Sequence, residues 1–169
     1  HTRKVKGKYT AAVGMVFRWI GHGIKSRVIQ FVKGAWGTGE RTVLEKFPDL
    51  VTIKGMGEGF TWETQDRERD IAHSRAAWEE AKKMIADLDY KMVFLAELNI
   101  VLRYDKLPLA EVHAVVQTKP PHKHVIVTRR PAKAASITLA ARVSELEHVH
   151  LPFRSLLKAR TGFDSSLRP

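Results

Sequence analysis

The run Met92-Val93-Phe94-Leu95-Ala96-Glu97 limits what this chain can fold into more than any other stretch. Its five apolar residues lack the in-out alternation of a half-wetted strand, so it reads as a strand buried on both faces. Such strands belong at the centre of a parallel sheet. Parallel neighbours cannot be joined by tight turns, so long crossovers, normally helices, must connect them. The rest of the chain offers such elements. Val13, Val16, Phe17 and Ile20 predict a helix over Ala11–Ile20, ended by Gly21-His22-Gly23. A β-branched strand is expected over Ser26–Val32, a helix over Arg41–Phe47 stopped before Pro48, and a strand over Leu50–Ile53. The clearest helix spans Asp66–Leu88, with Ile71, Ser74, Trp78, Ala81, Ile85 and Leu88 on one stripe and Glu79, Glu80, Lys82 and Lys83 largely turned away. Trp78 is therefore read as core. Helices over Leu109–Val116 and Ala132–Ala141, and strands over His124–Thr128 and Val143–Val149, complete the pattern. The alternation predicts a three-layer α/β fold, and 169 residues form one domain, 1–169.

Glu97 closes the central strand at its carboxyl end, where open α/β sheets bind their ligands. It is the best single candidate for a metal-facing or catalytic carboxylate, a structural salt bridge being the other reading. Before the long helix lies Gly55-Met56-Gly57-Glu58-Gly59-Phe60-Thr61-Trp62, whose glycines permit a shaped loop. Phe60 and Trp62 either fold back into the core or form a platform for a flat ligand, with Glu63 and Thr64 as polar contacts. Thr64 or Asp66 can cap the helix that follows. At the amino terminus, Gly7-Lys8 followed by hydroxyl-bearing Tyr9 and Thr10 opens a helix. This is either a basic arm or a phosphate loop in which backbone N–H groups cradle phosphate and Lys reaches its outer oxygens. The strand leading into such a loop would precede His1. His122/His124 and His148/His150 have strand-compatible spacing but no third convergent ligand, and are read as surface or sheet-edge residues.

Charge adds one constraint. The 29 Lys+Arg against 18 Asp+Glu give +11, which points to an anionic partner such as a nucleotide, nucleic acid or acidic surface. Only Arg3, Lys4, Lys6 and Lys8 cluster, and no recognition helix or RNA-binding signature accompanies them, which argues against nucleic acid. The absence of cysteine excludes disulfides, thiolate metal sites and a cysteine nucleophile, and fits a cytoplasmic protein. No apolar run approaches the ~20 residues of a membrane span, and no signal peptide is visible.

Several of these segments together resemble the P-loop type of ATP:corrinoid adenosyltransferase, the cob(I)yrinic acid a,c-diamide (cob(I)alamin) adenosyltransferase family. The resemblance rests on Gly21-His22-Gly23, Val28-Ile29-Gln30-Phe31-Val32-Lys33-Gly34 and Gly59-Phe60-Thr61-Trp62-Glu63-Thr64. Glu97-Leu98-Asn99, Arg103-Tyr104-Asp105 and Leu107-Pro108-Leu109 continue it, so it runs from Thr2 to about Asp164. It implies a RecA-like P-loop NTPase-type fold with a mostly parallel sheet, usually a homodimer. It also implies ATP, Mg²⁺ and a corrinoid as ligands, with a flavoprotein as possible reductant. The activity implied is transfer of the 5′-deoxyadenosyl group of ATP to Co(I), with release of triphosphate. Cobalt is then the nucleophile and no side chain is catalytic in that sense. Lys6, Gly7, Lys8, Tyr9, Thr10 and Arg130 are implied for ATP, and Phe60, Trp62, Glu63 and Thr64 for the corrinoid. Glu97 is implied for the metal.

The chain departs from that family where ATP is handled. The family's GNGKGKT aligns with Arg3-Lys4-Val5-Lys6-Gly7-Lys8-Tyr9, which keeps only Lys6, Gly7 and Lys8. The acid expected before Glu97 is Ala96, Arg129 stands for a glycine before Arg130, and Leu156 for another. These changes leave an alternative: a paralogue that binds corrinoid or nucleotide without transferring the adenosyl group.

Overall fold

The computed structural model describes residues 7–32, 39–55, 67–128, 141–144 and 146. In chain order these form α1 (Lys8–Gly21), β1 (Ser26–Gln30), α2 (Gly39–Leu44), β2 (Val51–Gly55), α3 (Arg67–Ala86), β3 (Met92–Ala96), α4 (Leu98–Arg103), α5 (Leu109–Gln117) and β4 (His124–Val127). The strands make one sheet in the order β2-β1-β3-β4, and each neighbouring pair is parallel. All five residues of β3 are buried, as the unbroken apolar run requires.

Alternation along the strands divides the core in two. Val28, Met92, Phe94 and Ala96 face α1 and α2, packing with Val13, Val16, Ile20 and Leu44. Ile29, Val93 and Leu95 face the other way, against Ala77, Trp78, Ala81 and Met84 of α3 and Leu98, Val101 and Val112 beyond β3. One sheet between two helical layers is the three-layer α/β arrangement expected. Trp78 is 1% exposed, and its indole N–H donates to Glu111 Oε1 at 2.9 Å, so the core reading of this ring holds.

Several bounds differ from the sequence reading, each for a local reason. α1 begins three residues early, because Gly7 turns the chain into the helix with φ 92°. β1 ends at Gln30, although the Phe31 N–H still donates to Ala96 O at 3.2 Å and Phe31 and Val32 stay buried. α3 stops at Ala86 and leaves Leu88 68% exposed, so this last member of the expected stripe is not core. β3 ends at Ala96 because Glu97 takes φ 63°, outside the range of a strand. Residues Leu98–Arg103, expected as no element, form α4, a helix too short for its buried Leu98 and Val101 to register as periodicity. Val143, Ser144 and Leu146 are not in a strand, and Ala141 is not helical. The rest of those two expected elements, and the Gly55–Thr64 loop beyond Gly55, lie outside the described residues. His122 and His124 are exposed, and β4, which carries His124, is at an edge of the sheet.

On the α3 side of the sheet, charge also ties one element to another. Lys106, in the α4–α5 connection, donates from Nζ to Asp70 Oδ2 of α3 at 2.7 Å, with 8% and 7% of the side chains exposed. Breaking a buried pair from one side leaves the other charge in a medium that solvates it poorly. Lys106→Met should therefore cost about 3–5 kcal/mol in chemical denaturation, and pairing it with Asp70→Leu should recover most of that loss.

Candidate active site

The site is built where three chain ends meet. α1 runs antiparallel to the strands: Tyr9 in its first turn packs on Phe94 near the end of β3, with ring centroids 5.7 Å apart. Trp19, near its other end, meets His124 at the start of β4, centroids 5.0 Å apart. The amino terminus of α1 therefore sits at the carboxyl end of the sheet. Its first N–H groups have no helical acceptor, no side chain caps them and no acid stands in the first turn. Together with the helix dipole this makes a seat for an anion.

Gly7 shapes that seat. Its positive φ suits a residue without a Cβ, and its carbonyl accepts the Ala11 N–H at 2.8 Å to start the helix. Lys8 follows at once, half-buried in the first turn.

Across from it stands Glu97, half-buried just past β3. Its left-handed backbone is uncommon for a residue with a Cβ and costs of order 1–2 kcal/mol. The surrounding contacts hold it there: the Glu97 N–H donates to Thr128 Oγ1 at 3.3 Å, and its carbonyl accepts the Ile100 N–H at 2.9 Å. Strain of this kind concentrates where a side chain must be aimed. Thr128, just past β4, thereby joins the site, and no sequence signal marked it.

Two more groups complete the described site. The Thr10 hydroxyl donates to Glu40 Oε1 at 3.4 Å, joining the first turns of α1 and α2. The Tyr9 phenol is pushed up to about 12, first by burial, then by the negative charges of Glu40 and Glu97, with Arg41 opposing. Tyr9 is therefore a neutral group at any ordinary pH, held among apolar residues and within the field of both carboxylates. Sequence reasoning passed over Glu40, for which the available signal was an acid opening a helix after Gly34, Gly37 and Gly39.

Of the expected site residues, Gly7, Lys8, Tyr9, Thr10 and Glu97 come together at this end of the sheet. Lys6, Arg130, Phe60, Trp62, Glu63 and Thr64 lie outside the described residues. Among the described residues no group of three or more His, Asp or Glu is arranged as a metal cage, and no helix is long and apolar enough to cross a membrane.

Comparison with known proteins agrees with the geometry. Residues 1–164 match the family model described as ATP:corrinoid adenosyltransferase BtuR/CobO/CobP. A corrinoid adenosyltransferase from a Sinorhizobium species is 49% identical over 166 residues, covering 97% of this chain and 78% of its own. One from Pseudomonas aeruginosa is 46% identical over 164 residues, with 97% and 81% covered. One from Escherichia coli is 45% identical over 159 residues, with 94% and 80% covered. Nothing in these matches supports the non-catalytic paralogue.

The Tyr9 shift gives a test of how the site is packed. The folded state holds the phenolic proton more tightly than the unfolded chain, whose tyrosines titrate near 10. This contribution is full below about pH 10 and is lost as pH rises from there toward 12. Tyr9→Phe keeps the ring against Phe94 and removes the titration. Denaturation midpoints at about pH 8 and about pH 11 should show the parent losing stability that Tyr9→Phe retains.

Proposed function

The chain belongs to the ATP:corrinoid adenosyltransferase family, and we propose that Lys6, Gly7, Lys8, Tyr9, Thr10 and Arg130 handle its ATP while Glu97 faces the Mg²⁺ that accompanies the triphosphate. The reaction moves the 5′-deoxyadenosyl group of ATP to the cobalt of a corrinoid. Co(I) attacks the 5′-carbon, a Co–C bond forms, the C5′–O bond breaks and triphosphate leaves with the bonding pair. Co(I) is already a strong nucleophile, so the protein's share is alignment of that carbon with cobalt and stabilisation of the leaving triphosphate.

The observation that carries this reading is the amino terminus of α1, opened by Gly7 at positive φ and facing the carboxyl end of β3. The helix dipole, first-turn N–H groups that lie beyond the helix's own ladder, and Lys8 together oppose the charge that builds on triphosphate as the C5′–O bond breaks. Mg²⁺ fits the donors present. It is commonly held by one or two carboxylates with phosphate oxygens and water, so a shared site needs no three-residue cage. Glu97 supplies one carboxylate, and Glu40, whose buried Oε2 meets no donor among the described residues, offers negative charge at the start of α2.

Phe60, Trp62, Glu63 and Thr64 take the corrinoid in this reading. Apolar rings at positions 60 and 62 hold cobalt without its lower axial ligand, which makes Co(II) easier to reduce. A reduced flavoprotein supplies the electron, and the enzyme works as a cytoplasmic homodimer. The +11 charge serves the triphosphate, not nucleic acid.

Incubation with ATP, Mg²⁺ and chemically reduced cobalamin should yield the light-sensitive Co–C product. No product, where a related enzyme gives it, would overturn the reading. Trp62→Ala should leave ATP affinity almost unchanged and sharply lower adenosylation that starts from Co(II) with a biological reductant. Activity from pre-reduced Co(I) should fall far less. A ring acting only as core would instead cost about 3–5 kcal/mol and lower both activities together with the melting temperature.

A further inference from the structure

At the end of β3 this chain has one carboxylate, Glu97, because Ala96 precedes it. Ala96 is fully buried and its side faces α1. The second negative group near α1 comes from a different element. Glu40 opens α2, and its Oε1 accepts the Thr10 hydroxyl at 3.4 Å, the long end of a hydrogen bond. Its Oε2 is buried and meets no hydrogen-bond donor among the described residues. A carboxylate oxygen withdrawn from water is costly unless a donor or cation meets it. Arg41, the next residue, gives its Nε to Glu45 Oε1 at 2.7 Å. Tyr9, beside Thr10 in the first turn of α1, packs on Phe94 with ring centroids 5.7 Å apart, three residues before Glu97, so this turn has Glu40 on one element and the end of β3 on another.

We propose that Glu40 is a second carboxylate of the phosphate site, facing the divalent cation that travels with ATP, with the Thr10 hydroxyl beside it. The proposal rests on the role read for Glu97 and assigns Glu40 the charge that Ala96 cannot supply. Tyr9 stands where a small hydroxyl is expected and turns its ring onto Phe94. The hydroxyl nearest Glu40 is then that of Thr10, one residue on. The cation draws its ligands from the starts of two helices and the end of a strand, with the triphosphate completing its shell.

Mn²⁺ binding to the full chain in the presence of ATP, followed by the electron paramagnetic resonance signal of free Mn²⁺, tests this without turnover. Glu40→Gln and Glu97→Gln should each weaken Mn²⁺ binding by about tenfold or more. Binding of metal-free ATP in EDTA should be unchanged or tighter in Glu40→Gln, since a charge that repels triphosphate has been removed. Glu40→Asp should fall between the parent and Glu40→Gln in Mn²⁺ affinity. If Glu40→Gln binds Mn²⁺ as the parent does and only Glu97→Gln is impaired, the proposal for Glu40 fails and the Glu97 reading stands. Parental Mn²⁺ affinity in both variants overturns the two together. Equal losses of metal-free ATP and Mn²⁺ binding in Glu40→Gln, with a lower melting temperature, mean that Glu40 only holds the helix start, and this also overturns the proposal.

Discussion

Burial of β3 on both faces is the constraint from which the rest of the molecule follows. Val93 and Leu95 must be covered from one side, Met92, Phe94 and Ala96 from the other, and each side takes its own helices. Every flank of the strand is then occupied, either by a helix layer or by the paired strands β1 and β4. Polar chemistry has only the strand's ends left. Glu97 takes the carboxyl end, and α1, running back along the same strand, brings its amino terminus there. A positive helix end and a carboxylate meet because a strand was too apolar to be exposed anywhere along its length.

The opposite end of the sheet shows what the chain does where no ligand is expected. Arg27 pairs with Asp87 at 2.7 Å and lies over the Tyr90 ring, 3.9 Å from its centroid. Buried Lys123 donates to the carbonyls of Asp87 and Tyr90, and burial pulls its ammonium below the usual lysine range. These charges close on one another, and the α3–β3 turn is fastened to the start of β4. At the carboxyl end, a helix start opened by Gly7, a glutamate at positive φ and a buried Glu40 oxygen that meets no donor among the described residues stand at the mouth of the sheet.

How much of this was legible in the sequence depends on whether a signal is periodic or spatial. β3, α1 and α3 were readable because burial imposes a period, and Trp78 fell on the inward stripe as spacing required. The place of Glu97 at the carboxyl end of β3 was readable because it stands at the end of a run whose character is unmistakable. Leu88 misled, since the stripe continues in the letters after the helix has stopped at Ala86. α4 was invisible at six residues. Glu40, Thr128, and the Asp70–Lys106 pair were hidden for another reason: each matters through a partner 30 or more residues away. No local pattern encodes such a meeting; only the register of the parallel strands brings those residues together.

That register also joins two departures from the family's letters that look independent along the chain. Position 96 points to the α1 side of the sheet, into the cluster where the Tyr9 ring lies. An acid at 96 would put a charge among Met92, Phe94 and that ring, in a place where burial already holds the phenol neutral. The tyrosine at position 9 lays its ring on Phe94 and adds apolar surface to that cluster. Ala96 brings no charge into that cluster. The carboxylates near α1 stand outside that cluster: Glu97 just past the end of β3, and Glu40 at the start of α2, where it accepts the Thr10 hydroxyl.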